Sequence, residues 1–239
     1  STNLTLRNRK LVLYFNVANQ NSDTSQFINF ITLRRSLLNI IDRQEILRNL
    51  ENQGRPVLGP IDQESWAFDP DILKREVISQ EEFTKSANGL GFKKNGQYFQ
   101  KDGKDLKLTI TYLEGEISTQ IIQTLKNQFE RNGIKLVEKK IPTTPDSTTT
   151  AQQESFTDIV NNRNFEAILT GIDLTQDPDI YNEWHSSKVD PPGLNLSGYS
   201  NKFTDQTLVN ARLIDTQEER KKEYFKFQVR FFEETPAIY

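Results

Sequence analysis

Three aspartates, the chain's single histidine and one of its two tryptophans fall within residues 171–187. The stretch runs Gly171, Ile172, Asp173, Leu174, then Asp177-Pro178-Asp179 and Trp184-His185-Ser186-Ser187. It follows an apolar run over 165–170 that reads as a buried strand. Polar clusters just past the carboxyl end of a parallel strand tend to face a ligand. A carboxylate there can pair with a ligand ammonium or accept hydrogen bonds from a bound main chain. Asp177 and Asp179 have a competing use, as caps of a short helix holding Tyr181 and Trp184, with Pro178 in its first turn. Asp173 has no such duty and is the candidate ligand-facing acid. His185 stands without a second histidine, so neither a dyad nor a zinc site forms around it, and a hydrogen-bonded corner beside Trp184 is the expected role. Ser186 and Ser187 lack the glycines of a nucleophile elbow. The aspartate spacing does not fit a calcium loop. Asn195, Ser197 and Tyr199 form a polar loop that serves either as turn chemistry or as donors to a ligand backbone.

The elements that must position these residues are legible from periodicity. Residues 10–16 alternate as a strand, and 27–50 carry apolar residues at helical spacing, with Asp42 and Glu45 as a capping box for a second helix. Arg34 and Arg35 read as a solvated helix face. Residues 54–60 form a loop held extended by two prolines and two glycines, followed by Trp66 and Phe68 as aromatic pins. Ser79 and Glu82 form a capping box, and Asn95-Gly96 and Asp102-Gly103 are hairpin signals. A strand at 106–112, a helix at 117–129 and a strand at 134–141 compose a βαβ unit with parallel strands. Residues 142–153, rich in Thr, Pro and Ser, read as a mobile excursion. A short helix around Ile159 then leads into the strand at 165–170, giving a second βαβ unit. Helices at 203–213 and after the Thr216–Glu219 capping box follow. The aromatic stripe of the last helix reads as core.

Composition narrows the class. The 239 residues carry a net charge of −3 with scattered basic residues, so no electrostatic footprint for nucleic acid is present. Cysteine is absent, which removes disulfides, thiol nucleophiles and cysteine metal sites. No cofactor motif and no metal-ligand spacing occur.

Several motifs together resemble one family. Arg34 to Ile46 looks like its "R-x-A-L-x-x-A-I-D-R-x-x-I" segment, Gly54 to Pro60 its "G-x-P-A-x-G-P" loop, and Phe68-Asp69-Pro70 its "Y-D-P". Asp177-Pro178-Asp179 with Trp184-His185-Ser186-Ser187 looks like "D-P-D…W/F-H-S-S". Asn195 to Asn201 looks like "N-x-S-G-Y-S-N", and Thr235 to Tyr239 fits its exit strand. The family is the extracellular solute-binding proteins of family 5, peptide and nickel receptors of ABC importers. The resemblance implies an α/β fold of the periplasmic-binding-protein type II lobe, with a mixed sheet, βαβ units and flanking helices. It implies that residues 1–239 are a single carboxyl-terminal lobe whose amino-terminal lobe lies elsewhere. It also implies a non-catalytic protein that captures an oligopeptide or similar solute and hands it to an ABC permease, outside the cell and anchored to its envelope. In the family the corresponding strand end often reads "G-W-x-x-D". Here Ile172 replaces the Trp and the spacing to Asp-Pro is one residue short. The ligand contacts expected are Gly171, Ile172, Asp173, Leu174 and Asn195. Two rivals make distinct demands. An aspartate-dependent hydrolase needs Asp173 and Asp177 facing one cleft. A protein-interaction module needs an exposed apolar patch at Trp66 and Phe68.

Overall fold

The computed structural model describes residues 9–18, 27–74, 78–143, 154–173 and 177–239. Strand β1 (Arg9–Phe15) leads through helices α1 (Ile31–Ile40), α2 (Arg43–Asn49) and α3 (Gln80–Gly89) to a hairpin layer, β2 (Lys93–Asn95), β3 (Tyr98–Lys101) and β4 (Lys104–Asp105). Next come β5 (Lys107–Leu113), α4 (Glu116–Arg131), β6 (Lys135–Ile141), α5 (Phe156–Asn161) and β7 (Ala167–Asp173). The chain closes with α6 (Tyr181–Trp184), α7 (Lys202–Leu213), α8 (Gln217–Glu234) and β8 (Ala237–Ile238). Residues 144–153, most of the expected excursion, lie outside the described residues, as does Leu174.

The main sheet has the order β6-β5-β7-β1-β8. β5 pairs parallel with both β6 and β7, so both expected βαβ units form. β1 pairs antiparallel with β7 and with β8, which makes the sheet mixed. Strand alternation feeds two cores. Leu13, Phe15, Ala167 and Leu169 face one core with Leu33 and Leu37 of α1, Phe83 of α3 and Phe129 of α4. Val12, Tyr14 and Ile168 face the other with Trp184, Leu208, Tyr224, Phe227 and Phe231. The result is a sheet between two helical layers.

Local chemistry explains most boundaries. Ser79 and Glu82 close a full capping box on α3. Asp42 accepts the amides of Gln44 and Glu45, as expected, but Glu45 does not return the bond. The Asp42 amide donates to Gln128 on α4 instead, and Glu45 accepts from Arg131 at 2.6 Å. Thr216 makes no side-chain cap, and Glu219 pairs with Lys222. In both departures a charged or amide partner outcompetes the local return bond.

Two further expectations are corrected. Arg34 is not solvated; it is 5% exposed and reaches from α1 to the carboxyl end of α8. The aromatic stripe of α8 is split: Tyr224, Phe227 and Phe231 are core, whereas Phe225, Val229 and Phe232 are only half-buried on the outer face. Eighteen residues at about 100° per step cannot aim six large side chains along one line.

Candidate functional site

β1 flanks β7 along its whole length, from Phe15 opposite Ala167 to Arg9 opposite Asp173. β5 flanks it only over Ala167–Leu169. Beyond Leu169, β7 therefore has a strand partner on one edge alone among the described residues. Gly171 and Ile172 are half-buried and Asp173 is exposed. The Ile172 side chain packs against the second core. Asp173 pairs with Arg9 at 3.2 Å, and the Arg9 guanidinium also donates to the Gly171 carbonyl at 3.3 Å. Arg9 lies just before the residues read as the first strand, 10–16. No local spacing marks it, because the cross-strand register brings it here.

The remaining polar residues of the opening stretch face inward or pair with arginines. Asp177 accepts the Asp179 amide at 3.1 Å, and Asp179 accepts the Tyr181 amide at 3.1 Å, so both carboxylates shape the approach to α6. The cap position itself is Ile180, without a side-chain bond. Asp177 also pairs with Arg220 at 3.2 Å and Asp179 with Arg212 at 2.6 Å. An acid and base pair at Asp173 and Asp177 is thus excluded: one is held by Arg9, the other turns into the start of a helix. Trp184 is fully buried, stacked on Tyr14 and edge-on to Phe231 at 4.7 Å. His185 stacks on Tyr181, and its Nδ1 accepts the Ser187 amide, which leaves the ring proton on Nε2. Both are structural, as expected. Trp66 and Phe68 are half-buried against the second core, Trp66 edge-on to Tyr224, so the patch an interaction module requires is not there.

Asn195 is fully buried. Its amide nitrogen donates to the carbonyls of His185 and Tyr199, and its oxygen accepts the Tyr199 amide. Ser197, also fully buried, places its hydroxyl between the carbonyls of Phe15 and Pro236 at 2.7 and 3.0 Å. Gly198 sits at φ +64°, and a Cβ there would lie 2.6 Å from that of Ala18, so both backbone and space demand glycine. The loop brace thus joins the end of β1 to the start of β8.

Behind this edge lies a buried polar corner. The Lys10 ammonium donates to the Pro60 carbonyl at 2.7 Å. The Glu183 carboxyl, which faces the Tyr239 hydroxyl, is pushed up to about 7 by burial, opposed by Lys10. Glu166 accepts the Thr109 amide at 2.8 Å and is likewise pushed up to about 7 by burial. For both groups the folded pKa lies above the ordinary 4.5, so the folded state binds more protons between those values. Stability is therefore greatest below about pH 4.5 as far as these groups contribute, falls as pH rises towards about 7, and is flat beyond. Each group accounts for on the order of 2–3 kcal/mol. The Glu166→Gln variant keeps an acceptor for Thr109 and should flatten this slope and gain stability at pH 8, read by urea unfolding across pH. An unchanged slope would contradict the assignment.

No protein-family model matches the chain. Among curated proteins it is 25% identical over 220 residues to the oligopeptide-binding protein AppA of Bacillus subtilis, covering 87% of this chain and 37% of that one. Among solved structures, NikZ from Campylobacter jejuni, in complex with Ni(L-His), superposes with a TM-score of 0.75 at 24% identity, over 96% of this chain and 44% of that one. The periplasmic oligopeptide-binding protein of Thermotoga maritima, bound to mannohexaose, gives 0.76 at 18% identity, over 97% and 43%. The chain has the fold of one lobe of these proteins. The chain spans under half the length of these relatives. AppA and the Thermotoga maritima protein are oligopeptide-binding proteins. Among the described residues no helix is long and apolar enough to cross a membrane.

The motifs that carry the family resemblance have architectural tasks. Arg34 and Arg43 of the first segment reach the carbonyls of Glu234 and Tyr239. Asn201 caps α7 and holds Glu234. Asn195 and Ser197 brace the junction of β1 and β8. These residues specify how the lobe is tied together.

Proposed function

We propose that the chain is the carboxyl-terminal lobe of the solute-binding component of an ABC importer, taking an oligopeptide or similar solute against the end of β7. The whole protein closes a second lobe over the ligand and delivers it to the permease from the cell exterior, where it is anchored to the envelope. The observation that carries this is the one-sided pairing of β7 beyond Leu169, in a lobe with sequence similarity to an oligopeptide-binding protein. An extended ligand pairs with such an edge through its main chain, which gives affinity with few distinctive side chains. Gly171, Ile172 and Asp173 make up that strand end, and Leu174, the next contact expected, lies outside the described residues. Asn195 supports the neighbouring loop rather than touching ligand, since its amide is occupied within the chain. β1 starts and β7 ends at one side of the sheet, where Arg9 stands opposite Asp173. The second lobe of the whole protein faces this open edge and closes over it by a hinge motion.

The test is an amide-resolved NMR titration of the 239-residue chain with tri-alanine. Weak, saturable shifts confined to residues 170–174 and their β1 partners are expected, weak because half the cleft is missing. Tight binding by this lobe alone, or shifts centred elsewhere, would count against the reading.

A further inference from the structure

Gly171 has an ordinary backbone, so its lack of a side chain is not a conformational requirement. Its role is space: a Cβ there would come within 3.3 Å of three atoms of the Arg9 guanidinium. The register places Leu11 opposite Gly171 and Arg9 opposite Asp173 on the same face, so the Arg9 side chain folds back along β1 and lies across the glycine. There its Nε meets Asp173 at 3.2 Å, and Nη2 donates to the Gly171 carbonyl at 3.3 Å. The Nη1 group has no partner among the described residues, and the Arg9 side chain is 53% exposed. The acid expected to receive a ligand ammonium is therefore already neutralised, and the charge presented outward at the open edge is a planar guanidinium with donors to spare.

We infer that Arg9, seated on Gly171 and held by Asp173, is the specificity-determining residue of this edge and takes a ligand carboxylate, so that the lobe reads an anionic end of its solute and not an ammonium. This rests on the reading of β7 as the ligand edge. A guanidinium fork suits a carboxylate because two parallel N–H donors match its two oxygens, which a lysine does not reproduce. Asp173 is then a positioning residue: it fixes the fork without touching ligand. Gly171 is a second positioning element, since its missing side chain leaves room for the guanidinium to lie close against β7.

The experiment titrates the 239-residue chain with tri-alanine, its carboxyl-terminal amide and its N-acetyl form, following the amides of residues 170–173. Amidation should weaken binding about tenfold in the natural chain, the size expected of one charged hydrogen-bonded contact. N-acetylation should change it less than twofold. In Arg9→Gln the penalty for amidation should vanish while main-chain binding persists. Circular dichroism checks that each variant folds, and Arg9→Gln, at a half-exposed side chain, is the one least exposed to a folding defect. An amidation penalty that survives Arg9→Gln, or no amidation penalty at all, overturns the inference while leaving β7 as the edge. The same holds for a tenfold acetylation penalty abolished by Asp173→Asn. If none of the three peptides shifts β7, the ligand edge itself is wrong and this inference falls with it.

Discussion

Trp184→Ala is expected to cost about 3–5 kcal/mol of stability, the range for deleting a large aromatic from a packed core. The indole is fully buried and touches three aromatic neighbours from three other parts of the chain: Tyr14 at 5.7 Å on β1, Phe231 at 4.7 Å on α8, and Tyr199 at 6.4 Å in the brace loop. Those neighbours are themselves anchored, so the hole cannot collapse. For a domain whose total stability is about 5–15 kcal/mol, the loss moves the urea midpoint strongly and lowers Tm by roughly 10 °C or more. Trp184→Phe should cost less than half as much. The indole nitrogen is buried with no hydrogen-bond partner, and phenylalanine removes that unsatisfied donor along with the extra ring. A loss below about 1 kcal/mol for the alanine variant would mean that the second core does not depend on this corner.

Arg34→Ala is expected to be comparably severe, again about 3–5 kcal/mol. The guanidinium donates to the carbonyls of Glu234 at 2.7 Å, Thr235 at 3.0 Å and Ile28. The first two are at the carboxyl end of α8, where the helix leaves carbonyls without internal partners and concentrates negative potential. Arg34 therefore caps α8 from another helix, and the turn into β8 is built on that cap. Thr235, in the left-handed region at φ 44°, donates its amide back to Phe231 and completes the turn. Burial pulls the Arg34 pKa down only to about 10, so the group stays charged at neutral pH. Removing it strands buried carbonyls. Arg34→Lys should recover little, because one ammonium cannot span the fork of acceptors. Denaturant unfolding measures the loss, and hydrogen exchange at the Phe15 amide, which donates to Pro236, reports whether the β1 and β8 junction loosens. A lysine variant of natural stability would show that charge alone, and not the fork, is what α8 needs.

Both positions belong to segments that carry the family resemblance. Their partners explain why that resemblance is silent on ligand. Arg34, Trp184, Asn195 and Ser197 all act where β1, α8 and β8 meet. The open end of β7 and Arg9 lie apart from that junction.

The sequence alone determined the elements, because their signals are local. Period-2 and period-3.6 spacing marked β5, α4 and β6. Ser79 with Glu82 marked α3, and the two Asn-Gly and Asp-Gly pairs marked the hairpin layer. Motif order pointed to the lobe type, and the uneasy position of Asp173 pointed to the end of β7. Tertiary structure alone decided what each polar side chain does. Arg34 finds Glu234 across 200 residues, and Arg9 finds Gly171 across 162. Nothing in a local window distinguishes such an arginine from a solvated one, since burial and register arise only when the sheet has assembled. The same holds for Asn195, whose turn chemistry and ligand-contact readings are equivalent in sequence and separate only when both ends of its amide are seen to be occupied. At β7 the strand is a local property, but its open edge is a property of β5 stopping short beside it.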